Sequence, residues 1–179
     1  MSMRKSLALA ALAVAFGAGV SLAQTSGLGK PLTEADIKPW DISILPDGTN
    51  LPPGSGTSAQ GAKIYADKCA MCHGPEGKGA GVPGAGPLVG GPPLSTGIDV
   101  AKTIGNYYAY ATTVFDFIRR AMPATSPRTL KDDEVYALTA YLLSLNKIIK
   151  DTDVMDAKNL PVVKMPNRDN FTLPYPDRI

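Results

Sequence analysis

Between Gly74 and Gly97 the chain carries nine Gly and five Pro in 24 residues. Proline fixes φ and withholds a backbone N–H, and glycine loses the most conformational freedom on ordering, so no helix or sheet is sustained across this stretch. Its few apolar side chains cannot offset the entropy of ordering it. The segment is fixed only by wrapping around a buried surface supplied from outside itself. The flanks read differently. Ser58 is a good cap for a helix running through Gln60, Tyr65 and Lys68 towards Cys72, with Gly61, Ile64, Tyr65 and Lys68 at helical spacing. Gly61 and Tyr65 share a face, where a missing side chain permits another helix to cross closely. A second helix is predicted over 113–121, with Thr113 and Asp116 as a capping pair and Val114, Phe117 and Ile118 as its buried stripe. The third is the clearest. Residues 129–132 resemble a capping box, and Asp132, Asp133 and Glu134 place negative charge on the first turn. Val135, Leu138, Leu142 and Leu145 then follow at spacings of three and four, and the helix should end near Asn146 or Lys147. With no repeat and no strand-rich segment, the fold class is all-α.

Residues 1–23 read as a label rather than as structure. Arg4 and Lys5 precede an apolar run from Leu7 to Val20, and Ser21-Leu22-Ala23 supplies small residues, the pattern of a secretory signal peptide cleaved after Ala23. The run is short of the roughly 20 residues a spanning helix needs, and no other stretch could cross a bilayer. The expected location is periplasmic. Without Arg4 and Lys5 the 18 basic residues fall to 16, equal to the 16 acidic ones. That balance excludes the basic stripe by which proteins grip nucleic acid. Residues 24–57 form an N-terminal arm with Pro31, Pro39, Pro46, Pro52 and Pro53 and no helical period. Trp40, Ile42, Ile44 and Leu45 make it too apolar for a free linker, so it should pack on the folded domain of residues 58–147 or on a partner. Residues 148–179, with Pro161, Pro166, Pro174 and Pro176, read as an extended C-terminal tail.

One His and two Cys restrict the chemistry further. A zinc site would need carboxylates to complete its ligands, and a disulfide framework could have one bridge at most. The two cysteines stand in Cys69-Ala70-Met71-Cys72-His73, the c-type haem attachment pattern. Thiols one helical turn apart can each form a thioether to one haem vinyl, while the next residue projects an imidazole under the iron. A thioredoxin-like pair would need a βαβ context, and a structural disulfide leaves His73 unexplained. Haem also supplies the surface that the Gly/Pro segment lacks, with Pro87 and Leu88 against the ring edge and a backbone carbonyl near Pro87 holding the second ring nitrogen of His73.

With His73 used, the sixth iron position can be Met, Lys, water or empty. Met71 lies inside the attachment turn and cannot reach the opposite face, leaving Met122, Met155 and Met165. Met122-Pro123 sits between two helices in a turn held by Pro123 and Pro127 and is the expected ligand. Met155 and Met165 lie beyond the last helix and read as packing or surface residues, with Met165 second because Pro166 follows it. A thioether ligand raises the potential and a filled sixth site blocks substrates, which favours electron transfer over oxygen or peroxide chemistry. The alternative is an open-site haem enzyme or gas sensor. Lys63, Lys68, Lys78, Arg119, Arg120, Arg128 and Lys131 lie near the expected haem and read as a solvated face before a docking patch.

Gly61 and Tyr65 before Cys-x-x-Cys-His, the Pro87-Leu88 loop, Met122-Pro123 and a last helix with Val135, Leu138, Tyr141 and Leu142 together resemble a class I cytochrome c. The resemblance implies three to four helices around one covalent haem, attachment at Cys69 and Cys72, axial ligation by His73 and Met122, and an exposed haem edge that passes single electrons. The arms are similar to those of cytochrome subunits of bacterial sulfite dehydrogenases, including the Sox sulfur-oxidation type. They share Trp40-Asp41-Ile42-Ser43-Ile44, Pro46-Asp47-Gly48, Leu51-Pro52-Pro53-Gly54 and Met165-Pro166-Asn167-Arg168. By that resemblance electrons come from a sulfite-oxidase-type molybdenum dehydrogenase subunit and pass to a downstream cytochrome or oxidase, with no independent catalysis by this chain. A stand-alone carrier serving another periplasmic dehydrogenase is the alternative.

Overall fold

A computed structural model describes residues 29–79, 81–97 and 99–171. The leader expected over residues 1–23, its cleavage site after Ala23, and Pro174 and Pro176 of the tail lie outside the described residues. The chain divides into two units between Asp41 and Ile42, so residues 42–57 of the expected arm belong with the larger unit. In the smaller unit a single helical turn, α1 (Glu34–Ile37), is started by a reciprocal cap. The Thr33 hydroxyl accepts the Asp36 N–H, and the Asp36 carboxylate accepts the Thr33 N–H at 2.9 Å. None of its residues is buried, and one turn is too short for periodicity to register in sequence.

The larger unit runs β1 (Ser55–Thr57), α2 (Ser58–Lys68), α3 (Ala70–His73), α4 (Ile104–Tyr107), α5 (Ala111–Ala121), α6 (Asp132–Leu145) and β2 (Val154–Asp156). The two strands pair antiparallel, with Gly56 opposite Met155. Three residues each, they carry no alternation long enough to read. Thr57 rather than Ser58 caps α2: its hydroxyl accepts the Gln60 N–H, and the Gln60 side chain accepts the Thr57 N–H at 2.9 Å. The helix does not continue to Cys72. It stops at Cys69 (φ −124°), and the chain re-enters a helical turn at Ala70.

Two expected caps are corrected. α5 begins at Ala111, so Thr113 and Asp116 lie inside it, and Asp116 pairs instead with Arg120 one turn on. α6 begins after Lys131, whose ψ of 154° is extended. Glu134 accepts the Lys131 N–H at 2.8 Å, while the Thr129 hydroxyl donates to the Ser126 carbonyl in the preceding turn. The stop at Leu145, with Asn146 as its cap, agrees with the sequence.

α2 crosses α6 at Gly61, where a Cβ would overlap the Ala137 carbonyl; no larger residue permits this approach. Around the crossing, Tyr65 meets Tyr141 at 5.4 Å between ring centres, and Phe115 meets Tyr136 at 4.4 Å. The tail contributes to the same core. Met155, Leu160 and Met165 are all buried, so the extended segment after α6 is held by packing. Four of the seven basic residues read as a solvated face are paired: Lys68 with Glu134, Lys78 with Glu76, Arg119 with Asp132 and Arg120 with Asp116. Among the described residues no helix is long and apolar enough to cross a membrane.

Candidate haem cleft

The Gly/Pro segment finds its order by folding back on the turn that follows α2. The His73 carbonyl accepts the Gly79 N–H at 2.8 Å, and the Gly77 carbonyl accepts both the Leu88 and Val89 N–H groups, at 2.7 and 3.1 Å. Gly74 has φ +75°, and a Cβ there would overlap the Gly79 carbonyl, so glycine is required on both counts. The buried Tyr65 hydroxyl donates to the Gly74 carbonyl at 3.0 Å and fixes the turn from the helix side. Burial pushes the Tyr65 phenol up to about 12 and keeps it a donor.

Within this frame His73 Nδ1 lies 3.2 Å from the Gly86 carbonyl. With its proton donated there, the imidazole has Nε2 left as the free ligating nitrogen. His73 lines a cleft with a cavity volume of about 120 Å³. Pro87 and Leu88 form one wall, Ile104 and Tyr108 another, and Val114, Phe117 and Ile118 of α5 a third; Leu138 and Leu142 of α6 complete it. Met122 lines the same cleft. It caps the C-terminus of α5 in extended conformation, and its N–H donates to Ile118 O at 3.1 Å.

The two cysteines are half-buried and not joined to each other. Burial pushes the Cys69 thiol up to about 11, so it stays a neutral thiol at ordinary pH. Met71 projects outward at 79% exposure, whereas Met155 and Met165 are buried in the core and line no part of the cleft. Among the described residues no cluster of His, Cys, Asp and Glu could hold a metal ion alone. One imidazole and one thioether in an apolar cleft, with two thiols in the turn beside the imidazole, form a donor set that fits haem c.

Sequence reasoning missed Lys102, Thr103, Ile104 and Tyr108 on the cleft wall. A signal was present. Thr103 and Asn106 form a reciprocal cap, the Asn106 side chain accepting the Thr103 N–H at 2.7 Å, and that Thr-x-x-Asn spacing marks the start of α4. Asn146 was read only as a helix end. Its amide donates to the Leu88 and Leu142 carbonyls at 3.2 and 2.8 Å, and its oxygen accepts the Gly90 N–H at 3.2 Å, tying the end of α6 to the Leu88 wall.

A cytochrome c family model matches residues 58–146. In sequence the chain is 30% identical over 96 residues to a thiosulfate dehydrogenase of Stutzerimonas stutzeri (strain A1501), a match taking in 52% of this chain and 29% of that protein. The chain therefore matches less than a third of that relative's length. In structure it is similar to a chain of the sulfane dehydrogenase SoxCD from Paracoccus pantotrophus, with a TM-score of 0.73 and 40% identity, covering 86% of this chain and 73% of that one.

Proposed function

The chain belongs to the cytochrome c family, and from that premise we propose that it is an exported one-electron carrier serving a dehydrogenase of sulfur compounds. The observation that carries this reading is that His73 and Met122 line one apolar cleft beside the two thiols of the attachment turn. Haem c, when bound there, supplies reversible one-electron exchange at iron.

The roles of the chain's own residues follow. Cys69 and Cys72 hold the group covalently, and the break in the helix at Cys69 sets their spacing. His73 ligates through Nε2, with the Gly86 carbonyl fixing its tautomer and ring orientation. Met122, on the same cleft as His73, would supply a thioether to the iron, which favours the ferrous state. Leu88, Ile104, Val114, Ile118, Leu138 and Leu142 keep water away, so little solvent must reorganise when the charge changes. Pro87 and Leu88 would form a wall against which the group packs.

The electron donor in this reading is a sulfite-oxidase-type molybdenum dehydrogenase subunit, and the acceptor is a downstream cytochrome or oxidase. Its support is the likeness to two proteins whose names are those of sulfur-compound dehydrogenases. The test mixes the oxidised holoprotein anaerobically with a molybdenum sulfite dehydrogenase and its substrate. Reduction of the haem spectrum on a catalytic timescale supports the donor; a spectrum that stays oxidised, while dithionite reduces it fully, removes that donor. Export is tested by N-terminal sequencing of the periplasmic protein, expected to begin at Gln24.

A further inference from the structure

The first turn of α6 holds three consecutive carboxylates, and each engages a different part of the unit. Asp132 accepts from Arg119 Nε at 3.1 Å. Asp133 accepts the Ser55 N–H at 2.8 Å. Glu134 pairs with Lys68 at 2.8 Å and also accepts the Lys131 N–H. A helix dipole favours negative charge here without asking for any of these partners.

The Arg119 to Asp132 pair has a particular place. Arg119 stands one turn before Met122, and Asp132 is the first residue after the loop of residues 123–131. No residue of that loop is buried, and only Leu130 packs against the core. The Ser126 N–H to Pro123 carbonyl and the Thr129 hydroxyl to Ser126 carbonyl bonds are internal to it. The loop has little packing of its own with which to fix the residue at its start. The ion pair bridges its two ends, with side chains 27% and 38% exposed. It joins the last turn of α5, which presents Met122, to the helix whose Leu138 and Leu142 line the same cleft. Arg120 cannot substitute, because it pairs with Asp116 inside its own helix.

Building on the reading of Met122 as the sixth ligand, we propose that Arg119 and Asp132 are positioning residues that hold the Met122 thioether at the iron. Removing either loosens the loop base and lets an external ligand compete with Met122 more effectively.

The test is a mutant cycle on the oxidised holoprotein, read by imidazole affinity and by the sulfur-to-iron charge-transfer band. Arg119→Ala and Asp132→Ala are each expected to bind imidazole roughly two- to fivefold more tightly, the range set by a partly exposed ion pair. The double variant should bind no more tightly than either single one, since both remove the same interaction. Asp133→Ala, which cuts the Ser55 bond but touches no part of the loop, should lose stability while leaving imidazole affinity and the band unchanged. Equal shifts in Asp132→Ala and Asp133→Ala, or additive effects of Arg119→Ala and Asp132→Ala, overturn the positioning role. If Asp132→Ala does not mature, Asp132→Asn keeps the acceptor, removes the charge and must show the same direction of shift. Met122→Ala separates the two ways of failing. Loss of the band there with no change in Asp132→Ala overturns the positioning role alone; a band retained in Met122→Ala overturns the ligation reading and the positioning role with it.

Discussion

Gly61→Ala tests the helix crossing on which the cleft is built. In an isolated helix the change is favourable by about 1 kcal/mol, because alanine propagates a helix better than glycine. Here the added Cβ would lie 2.6 Å from the Ala137 carbonyl carbon and 2.7 Å from Tyr141 Cβ, and would overlap the Ala137 carbonyl oxygen. Backbone at a helix crossing cannot rotate away as a side-chain tip can, so α2 and α6 must separate. Overpacking of this kind costs about 3 kcal/mol at the upper end of its usual range. Less the propensity gain, the net loss is about 2 kcal/mol. Separation also disturbs the contact of Tyr65 with Tyr141 and the Tyr65 bond to the Gly74 carbonyl, next to His73. Denaturant unfolding of the oxidised holoprotein, followed by haem absorbance, measures the loss. Gly97→Ala is the control, since nothing lies within 4 Å of a Cβ there. A Gly61→Ala protein as stable as its parent, or more stable, would show that propensity outweighs the crossing and refute this packing.

Asn146→Ala should lower stability by about 1–3 kcal/mol in thermal unfolding, because the Gly90 N–H loses its acceptor and the Leu88 and Leu142 carbonyls each lose one of two donors; a loss below about 0.5 kcal/mol would mean that water replaces the amide freely. At alkaline pH, burial pushes the Tyr65 and Tyr136 phenols up to about 12 from an ordinary value near 10. The neutral form is the one the fold prefers, so this contribution is whole below about pH 10 and is lost as pH rises towards 12. Tyr136→Phe and Tyr65→Phe should each flatten the fall of stability over that window, and an unchanged slope in both would contradict the assignment.

How much of this could be read from residues alone depended on whether the signal was local. The Cys69 to His73 pattern is local, since covalent chemistry dictates both spacing and residue type, and it implied the cofactor directly. The stripe Val135, Leu138, Leu142 is local too, and α6 ends where it was expected. The caps of α2 and α6 were displaced by one and two residues because several side chains compete for the same N–H groups. Thr57 outbids Ser58 through Gln60, and Glu134 holds Lys131 while Thr129 turns back to Ser126. What stayed invisible was set by contact across the chain. β1 and β2 lie about 100 residues apart and need each other to exist. The role of Asn146 depends on where the Leu88 wall happens to pass, and the pairing of Arg119 with Asp132 on the closure of a loop.

The most direct measurement is mass spectrometry of the tryptic peptide spanning Cys69 to Lys78, taken from protein matured in an export-competent host with cytochrome c assembly. The peptide is expected to carry the mass of exactly one haem, with neither thiol open to alkylation. A peptide at its unmodified mass, with Cys69 and Cys72 both alkylated, would contradict the assignment of this cleft to a covalent haem.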